Sequence, residues 1–219
     1  MYPSELHVSR SLRKTLRQKN FRVTLDTAFR AVVTACAGRR LGMPDETANA
    51  PIQTSGRTSA ASRASGSSRG PRLDPIGDGE PHTWITAAMV DAYVSLHENG
   101  YAHSVEVWAG DGPDAVLAGG LYGVALGGAF FGESMFSRRT DASKVALVWL
   151  ARQLSAWGFR FIDCQLPSAH LFTMGAREIP RRRFVGELQT ALTLPDRAGH
   201  WTIDRDFDPL TETSGTVQA

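Results

Sequence analysis

The chain has 219 residues, of which 42% are hydrophobic and 21% are charged, and this composition indicates a globular protein with one sizeable core. No apolar run approaches the ~20 residues of a membrane helix, and no basic segment followed by an apolar one marks a secretory signal, so no membrane association is expected. Cys36 and Cys164 form no CxxC pattern, which argues against a zinc site and favours a cytoplasmic protein.

Positive charge is concentrated at the amino-terminal end, although the net charge of the whole chain is only +2. Residues 1–40 contain nine Lys and Arg against two acidic residues, whereas residues 81–219 contain eleven against fifteen. A basic arm of this kind suits a polyanion such as nucleic acid. The alternative is a solvated helix face with no partner.

The first predicted elements form a basic helix–strand–helix part over residues 1–41. Ser9 is a plausible N-cap of the first helix, and residues 21–25 alternate between apolar and polar side chains as a strand does. Asp26 is expected to cap the second helix, which is expected to end at Gly38.

A change of composition separates this part from the rest of the chain. Gly, Ser, Ala, Pro and Thr make up 24 of the 39 residues at positions 42–80. Such a segment cannot bury enough apolar surface to offset its ordering entropy, so a disordered insertion is predicted there. The polar residues 204–219 are predicted to form a flexible tail.

The main core is predicted over residues 81–203. Its elements are, in order, a helix after Thr86, strands over 104–108, 115–124 and 128–133, a helix over 141–157, and a strand over 159–166. Hairpin-length connections make the first three strands antiparallel neighbours, whereas the helical connection makes the last strand parallel to one in the sheet. The predicted fold class is therefore α+β, with a mostly antiparallel sheet and helices packed on it.

Three polar residues on the predicted strands have no explanation in their apolar neighbours. Glu133 is expected to end one strand, and Asp163 and Gln165 stand two apart on another, so they should share a face. An acid and an amide on a buried strand are costly unless they are paired. The pattern indicates either a functional site or two polar groups that satisfy a buried strand end.

Six short motifs occur in order along this core. They are HSVEVW (103–108), GGLYG (119–123), FGESMFS (131–137), ASK (142–144), IDCQ (162–165) and GAREIPR (175–181). Together they closely resemble the bacterial leucyl/phenylalanyl-tRNA–protein transferases, and residues 6–12 and 83–86 look like the same family. The resemblance covers about residues 3–41 and 81–190.

The resemblance implies a catalytic domain similar to the GCN5-related acetyltransferases. It implies transfer of Leu or Phe, and less readily Met, from aminoacyl-tRNA to the N-terminal Arg or Lys of an acceptor protein. The product would be a substrate of the bacterial N-degron machinery. No cofactor is expected, because the ester of the donor is already activated, and a monomer is expected. The family's usual small amino-terminal domain, which precedes a segment like Tyr2-Pro-Ser, is expected to be absent from this chain.

The resemblance also implies roles for the unexplained polar residues. Asp163 and Gln165 would be the catalytic pair: Asp163 would accept a hydrogen bond from the side-chain amide of Gln165, whose carbonyl would orient the attacking amine. Glu133 would bind a cationic group, either the donor's α-ammonium or the acceptor's basic terminus. Ser134 would assist by hydrogen bonding, or serve only in a turn.

Two larger sets of residues follow from the same resemblance. The pocket for the aminoacyl side chain would be lined by Leu121, Phe130, Met135 and Val148, although apolar strand residues are often only core. The candidates for contact with tRNA phosphates are Arg10, Arg13, Lys14, Arg17, Arg181, Arg182 and Arg183.

Two other functions stay open. A CoA-dependent N-acetyltransferase of similar fold would need a glycine-rich loop that gives pyrophosphate to a helix N-terminus. The corresponding residues 138–143 lack those glycines, and Asp141 would repel phosphate. The second alternative is a non-catalytic RNA-binding remnant, which would bind tRNA without transfer.

Overall fold

The computed structural model describes residues 1–18, 20–38 and 85–211. In these ranges the helices are α1 (Arg10–Arg17), α2 (Phe29–Ala37), α3 (Ala87–Glu98), α4 (Ala142–Ala156), α5 (Ala169–Thr173) and α6 (Arg181–Ala191). The strands are β1 (Phe21–Leu25), β2 (Ala102–Ala109), β3 (Val116–Leu126), β4 (Ala129–Ser137) and β5 (Phe161–Asp163). The insertion predicted at 42–80 lies outside the described residues.

The strands form one mixed sheet in the order β1-β2-β3-β4-β5. The first three pairings are antiparallel and the pairing of β4 with β5 is parallel, which confirms the mostly antiparallel sheet. The last strand is much shorter than the predicted 159–166, since it ends at Asp163. The chain leaves the sheet there because Gln165 adopts a left-handed backbone conformation with φ 63°.

Successive residues of β3 face two different apolar clusters, as the period of a strand requires. Leu121 belongs to the main cluster, which β2, β3 and β4 share with α4, whereas Tyr122 belongs to a second cluster with α2 and α3. Helix α4 packs very closely on β3 at Gly119. A Cβ added at this glycine would lie only 2.6 Å from Ala142 Cβ, so a larger residue would not fit without a shift. No helix in the described ranges is long and apolar enough to cross a membrane.

The prediction that Asp26 caps α2 is wrong. Asp26 has φ 57° and its buried carboxylate is hydrogen-bonded to His103 Nδ1 at 2.9 Å, while it accepts from the backbone N–H of Ser104 at 2.8 Å. It also accepts from the backbone N–H of Trp201 at 2.7 Å, and the rings of His103 and Trp201 stack at 3.6 Å. Asp26 therefore ties the carboxyl-terminal segment to the sheet.

The capping role at α2 belongs to Glu106 of β2. Its fully buried carboxylate accepts hydrogen bonds from the backbone N–H groups of Thr27 at 3.3 Å and Ala28 at 3.4 Å, beside the first turn of α2. It also accepts from the hydroxyls of Thr24 and Ser104, each at 2.5 Å, and of Thr27 at 2.9 Å. In the described part of the chain no cation pairs with this buried carboxylate, and five donors satisfy it instead.

The carboxyl-terminal tail differs at its start from the predicted flexible segment. Asp204 Oδ2 accepts hydrogen bonds from Gln153 Nε2 at 2.6 Å and Trp157 Nε1 at 3.1 Å. Further on, the ring of Phe207 lies 5.5 Å from that of Trp149. These contacts hold the first residues of the tail against α4 and the residue that follows it, Trp157. The composition of the tail could not predict them, because the partners Gln153, Trp149 and Trp157 lie elsewhere in the chain.

Candidate active site

Asp163 and Gln165 are joined by a local turn at the end of β5. The backbone N–H of Gln165 donates a hydrogen bond to Asp163 Oδ1 at 3.0 Å. The expected bond from the Gln165 side-chain amide is therefore not the one observed, and strand alternation does not relate the two residues. Asp163 is half-buried and Gln165 is exposed. The energetic cost of burying these two polar side chains is therefore small.

Both residues line a cavity of about 460 Å³ between β5, α5 and the start of α6. This volume is within the range of ordinary small-ligand sites. The cavity is amphipathic: apolar side chains such as Leu166, Phe172 and Phe184 share its lining with Arg177, Glu178, Arg181 and Glu187. It can therefore receive a group with both an apolar and a charged part.

A cluster of Tyr2, Arg177, Arg183 and Glu187, here called the Tyr2 cluster, lies beside this cavity, and all of its members except Arg183 line it. The Tyr2 hydroxyl donates to the Glu187 carboxylate at 2.7 Å, and Arg183 Nε donates to the same carboxylate at 2.7 Å. The guanidinium carbons of Arg177 and Arg183 lie 4.6 and 5.7 Å from the centre of the Tyr2 ring. These contacts attach the first residues of the chain to α6.

The same contacts change the titration of the Tyr2 cluster. Burial, and then the hydrogen bond to Glu187, raise the pKa of Tyr2 above its ordinary value. Burial alone would raise the pKa of Glu187, but the hydrogen bonds from Arg183 and Tyr2 outweigh it, so the pKa of Glu187 is lowered. Glu187 therefore remains a carboxylate at neutral pH.

Glu133 lies at a β-bulge in the middle of β4, so the prediction that it ends a strand is wrong. On β3 the adjacent residues Tyr122 and Gly123 are paired with Ser134 and Gly132 of β4. Glu133, between those two, therefore has no partner in the register. Counted from Met135, which faces α4, strand alternation would turn Glu133 towards α4, whereas counted from Phe130, which also faces α4, it would turn Glu133 to the opposite face. A bulge re-aims the side chain, and such irregularities are common beside active sites.

The bulge directs the carboxylate of Glu133 towards α3. The hydroxyl of Tyr93 on that helix donates to Glu133 Oε2 at 2.8 Å. Burial, and then this hydrogen bond, raise the pKa of Tyr93 far above its ordinary value. The hydroxyl is therefore protonated, and acts as a donor, across the whole range in which proteins are usually active.

Glu133 is close to Asp163 but does not line the same cavity. Phe131, two residues before Glu133, is the partner of Asp163 in the register of β4 and β5. A Cβ added at Gly132 would lie 3.4 Å from the carbonyl oxygen of Asp163. At a rise of about 3.3 Å per residue, Glu133 follows the pairing by roughly 7 Å along β4, just beyond the end of β5.

The four residues predicted to line a side-chain pocket lie in or against the main core. Leu121, Phe130 and Val148 are 3%, 0% and 0% exposed, and all three belong to the main apolar cluster. Met135 is partly exposed and packs against that cluster. None of the four lines the cavity that holds Asp163 and Gln165, because α4 covers this face of β3 and β4.

The basic residues of α1 form an open surface. Arg10, Lys14 and Arg17 are exposed and follow one another at the spacing of a helix face. Arg13 is half-buried, and its Nε donates to the carbonyl of Val8 at 3.3 Å. Three of the four predicted phosphate contacts on this helix are therefore available to a large polyanion.

The second basic group stands in the first turn of α6. Arg181 lines the cavity, Arg182 is exposed, and Arg183 is engaged with Glu187 in the Tyr2 cluster. Cations at a helix N-terminus are disfavoured by the helix dipole, so nothing in the helix itself explains this run. The structure thus separates Arg182, which has no acidic partner among the described residues, from its paired neighbour Arg183.

The structure adds basic residues that the sequence interpretation missed. The Thr15 hydroxyl of α1 donates to Asp141 Oδ2 at 3.3 Å, and Lys144 Nζ donates to Asp141 Oδ1 at 2.8 Å. These bonds bring α1 next to the start of α4, where Arg138 and Arg139 are exposed. The pair of adjacent arginines is a visible signal in the sequence, but its distance from α1 along the chain concealed the connection.

Within residues 1–18, 20–38 and 85–211, no set of three or more His, Cys, Asp or Glu side chains is arranged to hold a metal ion. The thiol of Cys164 adjoins the catalytic candidates, and burial raises its pKa, so it is a poor nucleophile.

The comparisons with known proteins agree with the family resemblance of the six sequence motifs between residues 103 and 181. The family model described as leucyl/phenylalanyl-tRNA protein transferase matches residues 1–51 and 75–189. A protein of this name from Oleidesulfovibrio alaskensis is 48% identical over 96% of this chain and 71% of its own length. A protein of the same name from Alkalilimnicola ehrlichii is 47% identical over 95% of this chain and 65% of its own length. Another from Nitrosomonas europaea is 45% identical over 97% of this chain and 72% of its own length. The chain therefore belongs to the leucyl/phenylalanyl-tRNA–protein transferase family of aminoacyltransferases.

Proposed function

We propose that this protein transfers Leu or Phe, and less readily Met, from aminoacyl-tRNA to the N-terminal Arg or Lys of acceptor proteins. The transfer would mark the acceptor for N-degron degradation in the cytoplasm. The observation that carries the proposal is that Asp163 and Gln165 form one turn and line one cavity, in a chain of this family. Residues 1–41 and 81–203 would form a single catalytic domain of GCN5-related acetyltransferase type.

The chemistry needs little activation. The attacking group is an α-amine with an unperturbed pKa of about 7.7–8.0, so roughly a tenth or more of it is neutral near pH 7. Its nitrogen forms a bond with the ester carbonyl carbon, and the bond from that carbon to the ribose oxygen of the tRNA breaks. The amine loses one proton and the ribose oxygen gains one. The protein therefore has to orient the amine and assist these proton movements.

Asp163 and Gln165 suit this task. The hydrogen bond from the Gln165 backbone occupies Asp163 Oδ1, which leaves Oδ2 to accept a hydrogen bond from the attacking amine. The left-handed backbone at Gln165 fixes the direction in which its side chain leaves the turn. Its amide oxygen can accept a second hydrogen bond, and two acceptors would hold the nitrogen lone pair towards the ester.

The remaining predicted residues divide between the two substrates. Glu133 would bind a cationic group just beyond the end of β5, with Ser134 beside it as a hydrogen-bonding residue. The aminoacyl side chain would enter next to Met135, whose partial exposure and flexible thioether suit both Leu and Phe. Its apolar surroundings would be Leu121, Phe130 and Val148, which are closed in the described conformation.

The tRNA would lie against the basic surface of α1. Contacts of Arg10, Lys14 and Arg17 with phosphates would be largely independent of base sequence and would weaken steeply with salt. Arg181 and Arg182 at the start of α6 would hold the tRNA near the cavity. Arg13 and Arg183 would contribute less, because both are already engaged within the protein.

The structure weakens the case for a CoA-dependent acetyltransferase. Asp141 stands at the N-cap of α4 with φ 64°, and Lys144 and Thr15 hold its carboxylate there. A fixed negative charge at this helix end opposes the binding of a pyrophosphate. Tight binding of acetyl-CoA in calorimetry would favour that function instead.

The decisive experiment supplies radiolabelled Leu-tRNA or Phe-tRNA and a protein with an N-terminal Arg. We expect acid-stable label on the acceptor, and no label when the acceptor's α-amine is acetylated. Asp163→Ala and Gln165→Ala should abolish most of the transfer, whereas Gln189→Ala, an exposed glutamine on α6, should not. Binding of tRNA without any transfer by the wild type would favour the RNA-binding remnant.

A further inference from the structure

We propose that Tyr93 is a positioning residue, which holds the carboxylate of Glu133 in place to receive the ammonium group of a substrate. The inference rests on the proposed function. It concerns the bulge of β4 and the face of α3 above it, and not the cavity of Asp163 and Gln165.

Glu133 is unusual because it is half-buried and has no cationic partner among the described residues. In the described part of the chain, no Lys, Arg or His forms an ion pair with it. Its hydrogen-bond partner is the neutral hydroxyl of Tyr93, at 2.8 Å from Oε2. This bond occupies Oε2 and leaves Oε1 to accept from an incoming cation.

The ring of Tyr93 is itself held rigidly. It meets the ring of Tyr122 edge-on, at 5.0 Å between centroids and an interplanar angle of 73°. Tyr122 is completely buried, and it stands on β3 next to the bulge that displaces Glu133. Tyr93 therefore links a rigid aromatic pair to a side chain that a bulge alone would leave with several rotamers.

The two tyrosines offer a matched pair of substitutions. The hydroxyl of Tyr93 is bonded to Glu133, whereas the hydroxyl of Tyr122 is buried without a hydrogen-bond partner among the described residues. Tyr93→Phe and Tyr122→Phe each remove one oxygen and leave the aromatic packing intact. A general effect of losing a hydroxyl in this region would appear in both variants.

The ammonium that Glu133 receives has two sources, the aminoacyl ester of the donor and the basic terminus of the acceptor. Transfer is therefore measured with each substrate varied in turn. We expect Tyr93→Phe to raise KM about tenfold for one substrate, since a hydrogen bond to a charged group is lost, while kcat changes by less than about threefold. The substrate whose KM rises identifies the source. Tyr122→Phe should keep both KM values within about twofold.

A double-mutant cycle tests whether Tyr93 acts through Glu133. In a Glu133→Gln background, Tyr93→Phe should cause little further loss, because the positioned charge is already gone. Full additivity of the two losses would overturn the inference, as would a fall in kcat with both KM values unchanged. If the wild type transfers the amino acid and Tyr93→Phe has the same kcat and KM values, this inference alone is rejected. If the wild type itself shows no transfer, the proposed function is rejected as well.

Discussion

Gln165 donates its backbone N–H to Asp163 Oδ1 at 3.0 Å, so the two proposed catalytic residues are held by one turn. An Asp side chain that bonds to the backbone two residues ahead is a stable local motif. In this turn Gln165 has a left-handed conformation, φ 63°, which residues other than glycine rarely adopt. Stability is given up at this position to direct one side chain, which is a common property of functional sites.

The turn predicts a difference between two variants that both remove the Gln165 amide. Gln165→Ala keeps the strain of a left-handed non-glycine residue, about 1 kcal/mol or more, whereas Gln165→Gly relieves it. After the extra freedom of glycine in the unfolded chain, the Gly variant should be about 0.5–1 kcal/mol more stable than the Ala variant. Urea unfolding measures the difference, and transfer by both variants should be lost. A more stable Ala variant would contradict the turn geometry.

The order and type of the elements could be predicted from the sequence. Helices α1 and α3 begin directly after Ser9 and Thr86, as predicted. Each of these two side chains accepts a hydrogen bond from the backbone N–H three residues further along the chain. Hairpin connections likewise gave the antiparallel pairings correctly. These features depend on residues close together in the chain, so a local pattern contains the necessary information.

The errors arose where a distant partner decides the conformation. Asp26 has the right position and chemistry for an N-cap, but Glu106, about 80 residues later, provides the capping carboxylate. The bulge at Glu133 and the turn at Gln165 both interrupt strands whose apolar pattern continues. Strand alternation therefore assigned the wrong geometry to Glu133 and Gln165, because it assumes a regular strand.

Glu106→Gln should destabilise the protein considerably. The substitution preserves size but turns an NH₂ group towards donors, so at least one of the five hydrogen bonds at the buried carboxylate becomes unsatisfied. We expect a loss of about 3 kcal/mol in the free energy of unfolding. The same substitution at Glu98, which is exposed at the end of α3, is the control and should change stability by less than about 0.5 kcal/mol. Equal stabilities of the two variants would show that Glu106 does not cap α2.

The Tyr2 cluster should make stability depend on acid. The pKa of Glu187 is lowered in the folded state, so the stabilisation is fully present above the ordinary glutamate value of about 4.3 and is lost as the pH falls through the lower folded value. The free energy of unfolding of the wild type should exceed that of Glu187→Gln at pH 6, and the difference should shrink towards pH 3. In a Tyr2→Phe background, the stability difference that Glu187→Gln causes at pH 6 should be smaller, because one donor to the Glu187 carboxylate is gone. A gap that stays constant with pH would refute the linkage.

The basic face of α1 predicts a specific salt dependence for tRNA binding. Each phosphate contact that is lost should reduce the slope of log K against log salt by about 0.7–0.9, so Lys14→Gln and Arg17→Gln should each lower it by that amount. Arg30→Gln removes the same charge from an exposed arginine of α2, which is paired with Asp91 of α3 at 3.0 Å, and it should leave the slope unchanged. Filter binding or fluorescence titration with one tRNA at several salt concentrations measures these slopes. Equal changes in all three variants would mean that net charge alone, and not the surface of α1, attracts the tRNA.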